Sequence, residues 1–111
     1  MKTRIGKERD GWEAVSELPL TEKQVLTIRT YKRHGLLDTT ANVGSLGAGG
    51  LLTYVLGRDY SALLCRRSGS RATEKAVSEQ HQTVLASLEE VKAKAIGHYA
   101  EQARKVQHAA A

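Results

Sequence analysis

LTEKQVLTIRTYKRHG, residues 20–35, is the stretch on which the architecture turns, because its ends and its interior point to different structures. Thr21 stands where a helix N-cap would, and Gln24, three residues on, is placed to reach back to it. Leu20 and Val25 flank that cap in the two positions of a hydrophobic staple. At the far end Gly35 can take the left-handed conformation that closes a helix, with Leu36 folding back on Tyr31. The interior disagrees: Val25, Thr27, Ile28, Thr30 and Tyr31 are β-branched or aromatic and favour strand. Two concordant end signals outweigh a propensity, so the stretch predicts a helix over 21–34.

Outward from it, residues 1–9 (MKTRIGKER) read as a mobile basic arm. Asp10 and Glu13 then have capping-box spacing, and Trp12, Val15 and Leu18 fall on one side of a short helix that Pro19 stops. Trp12 is expected to anchor that helix on the core. On the C-terminal side, residues 38–57 (DTTANVGSLGAGGLLTYVLG) hold Gly44, Gly47, Gly49 and Gly50. Each costs a helix interior up to about 1 kcal/mol relative to Ala. Two structures compete there. One is a pair of helices whose glycines admit a close neighbour. The other is a loop followed by a hairpin, strand Leu51–Leu56, turn Gly57-Arg58-Asp59 and strand Tyr60–Cys65. Helix is preferred, and Ser68-Gly69-Ser70 reads as a linker.

From about 73 to 106 the pattern is strongest. Val77, Val84, Leu88, Val91, Ala95, Tyr99, Ala103 and Val106 recur at spacings of seven, four or three and draw one apolar stripe. Unbroken, such a helix would reach about 50 Å at 1.5 Å per residue, more than a compact domain of this length accommodates. The fold class expected is therefore all-α, a small helical protein with a long C-terminal amphipathic helix over about 73–106. The alternative is α+β with a hairpin at 51–65. Residues 10–111 form one domain, and pairing with a second copy through Val77, Val84, Leu88, Val91, Ala95 and Tyr99 would cover the overhanging stripe. The other solution is a break at Gly97.

Composition narrows the function. The chain has 111 residues, one Cys, one Trp, four Tyr and no Phe. A single cysteine, Cys65, excludes an internal disulfide and suits a reducing compartment. The formal charge is +5. It lies wholly in residues 1–71, since residues 72–111 hold five basic and five acidic side chains. No secretory h-region follows the basic start, and the uncharged run Thr39–Gly57 is too diluted by glycine and threonine to span a bilayer. A cytoplasmic protein is expected.

Little in the chain carries catalytic chemistry. His34, His81, His98 and His108 are too dispersed for a local metal pair. His81 lies in the apolar stripe and reads as a packing histidine. Cys65 reads as a small buried hydrophobe. Gly44-Ser45-Leu46-Gly47-Ala48-Gly49-Gly50 fails as a phosphate loop, because Gly50 and Leu51 stand where Lys and Ser or Thr are needed. The chain is accordingly read as a non-enzyme without cofactor or metal.

Residues 20–57 are similar to the helix-turn-helix stretch of winged-helix regulators in their LT-x-x-Q…HG-x-L first helix, with Ala41 and Gly47 near the motif's Ala and turn Gly. The resemblance covers about a third of the chain and implies a DNA-binding regulator, with Arg29, Lys32 and Arg33 on phosphate. It departs at Ala48–Leu56, the implied recognition helix, which has no Arg, Lys, Asn or Gln to read bases. The preferred function is a small non-enzymatic regulator that binds another protein. It would act as an antiactivator or inhibitor, blocking assembly of a transcription factor or enzyme. Leu51, Leu52, Tyr54 and Val55 are the expected partner face, with a homodimer expected and nucleic acid as the alternative partner.

Overall fold

The computed structural model describes residues 1–46, 52–54 and 62–110. In it residues 20–35 are not a helix. Strand β2 (Gly11–Pro19) leads through a loop into β3 (Gln24–Arg33), and β3 turns directly into β4 (Leu36–Leu46). β1 (Lys2–Glu8) pairs antiparallel with β2, so the residues read as a mobile arm form an edge strand. β5 (Leu52–Tyr54) and β6 (Leu63–Ser68) both pair antiparallel with β4, opposite β3. The described strands thus form one antiparallel sheet in the order β1-β2-β3-β4, with β5 and β6 sharing the far side of β4. Helices α1 (Glu74–Leu85) and α2 (Leu88–Ala110) pack on one face of it.

The all-α expectation is therefore overturned in favour of a sheet with two helices, and so is the helix-turn-helix resemblance, whose first helix is β3. The end signals of residues 20–35 are real, but they belong to turns. Thr21 Oγ1 accepts hydrogen bonds from the amides of Lys23 (3.2 Å) and Gln24 (3.0 Å), capping the β2–β3 loop instead of a helix. His34 (φ 53°) and Gly35 (φ 79°) both have positive φ. Arg33 pairs with Leu36 around them. That is a two-residue hairpin turn of the kind whose twist matches the strands, and it needs positive φ at both positions. The short helix read over 10–18 is likewise strand. The hairpin weighed for 51–65 has its turn outside the described residues. Among the described residues β5 and β6 pair with β4 and not with one another.

The C-terminal stripe folds as a helix pair. Thr73 caps α1, its hydroxyl accepting from the Ala76 amide. The chain breaks at Ala86–Ser87, not at Gly97, which lies inside α2. The stripe continues through that turn and faces the sheet. Val84, Val91 and Ala95 join Leu26, Ile28, Ala41 and Val43 in the main core cluster, with Leu88 and Tyr99 packed against it. Val77 joins Ala14 and Leu37 in a second cluster, capped by Trp12 and Ala72. The core is aliphatic almost throughout, as the missing Phe implies. The strap from β6 to α1 crosses the start of β2. Trp12 N donates to Ala72 O at 2.8 Å, and Gly11 (φ 126°) lies so close that a Cβ would meet Ala72 O at 2.8 Å.

Candidate interaction site

Three places hold polar chemistry. The first is a chain of hydrogen bonds, buried for most of its length, that runs between α1 and the sheet. Gln80, on α1, donates from Nε2 to Leu37 O (3.0 Å) and to Thr39 Oγ1 (3.1 Å), and its Oε1 accepts from Ser68 (2.7 Å). Thr39 Oγ1 shares a hydrogen bond with Thr30 Oγ1 (2.8 Å), and Thr30 Oγ1 shares one with His81 Nδ1 (2.7 Å). His81 Nε2 is hydrogen-bonded to Ser16 Oγ (2.7 Å), which reaches Thr3 Oγ1 (2.8 Å) on the exposed edge strand. His81, Thr30 and Thr39 are fully buried. Burial pushes the His81 pKa down to about 4, so the ring is neutral at physiological pH. A serine hydrogen-bonded to a histidine has the parts of an activated nucleophile, but Ser16 is 1% exposed. Both ring nitrogens already face hydroxyls, and no carboxylate among the described residues is bonded to the ring. These bonds tie α1 to the sheet.

The second place is the helix-free face of the sheet. Arg29 grips Glu13 with two bonds (2.7 and 3.2 Å) and lies 3.6 Å over the Tyr31 ring. Arg67 does the same to Asp38 from the directly opposed position on β6 (2.7 and 2.8 Å), and Arg33 Nε stands 3.6 Å from the same carboxylate. Asp38 is fully buried beneath them. Of the three residues read as phosphate contacts, Arg29 and Arg33 are held near acids on this face. Lys32, exposed, has the opposite strand parity, so the three do not form one basic surface.

The third place is a groove of about 410 Å³ between β6 and the two helices. Leu63, Cys65, Val84 and Val91 make its apolar floor, while Arg66, Glu90 and Lys94 stand at its rim. A β-bulge shapes it. Thr40 pairs with Leu64 and Thr39 with Arg66, which leaves Cys65 as the extra residue. A bulge of that kind turns neighbouring side chains towards the same side. Burial pushes the Cys65 thiol up, with the Lys94 ammonium opposing the shift. Lys94 bonds Glu90 at 2.8 Å one turn away. Along the groove, Leu64 is 43% exposed on the edge strand.

The residues predicted from the sequence map unevenly onto these places. The backbones of Leu52 and Tyr54 lie in β5, and Leu51 and Val55 lie outside the described residues. Val77, Val84, Val91 and Ala95 are buried against the sheet of their own chain, so the apolar demand that motivates self-pairing is met internally. The groove escapes sequence reasoning: LLCRR (residues 63–67) announces neither a strand edge nor a bulge, both of which exist only relative to β4. No group of His, Cys, Asp or Glu able to hold a metal occurs among the described residues, and no helix among them is long and apolar enough to cross a membrane. No protein-family model, curated protein or solved structure matches the chain.

Proposed function

We propose that this chain is a non-enzymatic regulatory protein of the cytoplasm that acts by binding another protein, as an antiactivator or inhibitor that occupies its partner's assembly surface. The observation that carries this reading is the groove beside β6, a preformed concave surface with an apolar floor and a charged rim. A partner can enter it without the helices leaving the sheet. Leu64, which also lines the groove and is 43% exposed, adds apolar surface along the same edge strand. Small regulators of this kind work by surface occupation, so one well-formed groove on a rigid two-layer scaffold suffices.

Capture from native lysate tests the reading with the intact wild-type chain and Leu64→Asp as paired baits. A discrete partner on the wild type that is depleted on Leu64→Asp supports it, provided that both baits melt within a few degrees of each other. A wild-type bait that enriches no protein, or one whose partner is retained equally by Leu64→Asp, overturns it. The oligomeric state of an enriched partner, measured with and without the chain, tests the inhibitory part.

A further inference from the structure

We propose that the groove accepts an extended segment of the partner as an added strand on β6, with an acidic side chain of that segment on Arg66. This inference rests on the protein-binding reading above and names what the partner presents.

Three observations carry it. β6 is a sheet edge: among the described residues it pairs only with β4. An edge strand presents a row of unpaired amides and carbonyls, which is the recognition element in strand addition. The groove runs along that same edge, so alternate side chains of an added strand would point onto Leu63, Cys65, Val84 and Val91. The charge is one-sided. Residues 62–73 contain Arg66, Arg67 and Arg71 and no acid. Arg67 is neutralised by Asp38 and Lys94 by Glu90, whereas Arg66 has no ion-pair partner among the described residues. Natural edges are commonly guarded by charge and by bulges. Here Arg66, without an ion-pair partner among the described residues, favours an added strand that carries an acid. A four- to six-residue segment, at about 3.3 Å per residue, matches the exposed length of β6.

The test uses the intact chain and a displayed library of random octapeptides as the probe. Peptides with alternating apolar residues and an Asp or Glu are the expected enrichment. A synthetic copy of the strongest should slow alkylation of Cys65, the sole thiol of the chain. Arg66→Glu should weaken that peptide about tenfold, a lost attraction plus a new repulsion, and exchanging the peptide's acid for Lys should restore it. N-methylation of alternate amides separates strand addition from mere groove filling. Methyls on one set should weaken binding by about tenfold or more, and methyls on the other should not. Absence of enrichment over bare support, equal binding to Arg66→Glu, or indifference to both methyl sets overturns the proposal. Peptides that bind elsewhere on the chain would overturn strand addition while leaving the protein-binding reading intact, whereas a failed lysate capture strikes that reading itself.

Discussion

His81 makes stability depend on pH in a window set by its surroundings. The buried ring holds its pKa at about 4, against an ordinary value of 6.5. Between those two values the unfolded chain binds a proton that the folded chain refuses, so stability rises with pH across the window. Each pH unit separating the two is worth about 1.4 kcal/mol. The neutral ring therefore contributes about 3 kcal/mol that is fully present above about pH 6.5 and lost as pH falls to about 4. Desolvation sets the direction: the protonated ring would be a buried charge with only the Thr30 and Ser16 hydroxyls against its nitrogens. Urea unfolding at a series of pH values, for wild type and His81→Gln, measures the effect. The carboxylates titrate in both proteins and cancel in the difference. The difference between the two stabilities should grow by about 3 kcal/mol from pH 4 to pH 6.5 and stay level above it. A difference that is flat across that window would refute the buried neutral ring.

Gly11→Ala should destabilise by about 2 kcal/mol or more, because the new methyl meets the Ala72 backbone and the positive φ disfavours any side chain; thermal unfolding reads it. Asp38→Asn removes the buried carboxylate beneath Arg67 and Arg33 and should cost about 1–3 kcal/mol, discounted because Arg67 is partly exposed; chemical denaturation checks it. Because the stripe on α1 and α2 already packs on the sheet, light scattering at micromolar concentration should return the mass of one chain, 12.1 kDa. Mixed duplex DNA should show no mobility shift at about 50 mM salt, since Arg29 and Arg33 stand against Glu13 and Asp38.

Local chemistry is legible in the sequence, and its context is not. The Thr21 cap and the left-handed Gly35 are both present, but each closes a turn between strands, because a capping hydroxyl and a positive φ serve hairpins as well as helices. The strand propensity of Val25 to Tyr31 is the better guide. It carries little weight by itself because the alternation expected of a half-exposed strand is missing there. β3 and β4 are central strands with both faces buried: Leu26 and Ile28 face the helices, while Thr27 and Tyr31 are covered on the other side. The helical stripe is legible, but the break at Ala86–Ser87 is not, because the apolar period runs on through that turn. What it covers is not legible, because a stripe does not say whether its partner is a second copy or a sheet upstream in the same chain. The candidate groove has no sequence signal, as it depends on a bulge that only the register with β4 defines.

If the surface beside β6 meets the partner, photo-crosslinking in place will show it. A photoreactive amino acid is placed once at position 64 and once at position 17, on the helix-free face of β2. Illumination of each full-length chain in native lysate should give a discrete adduct of higher mass from position 64 and none from position 17. Adducts from position 17 alone, or from neither position, would contradict a partner site at β6.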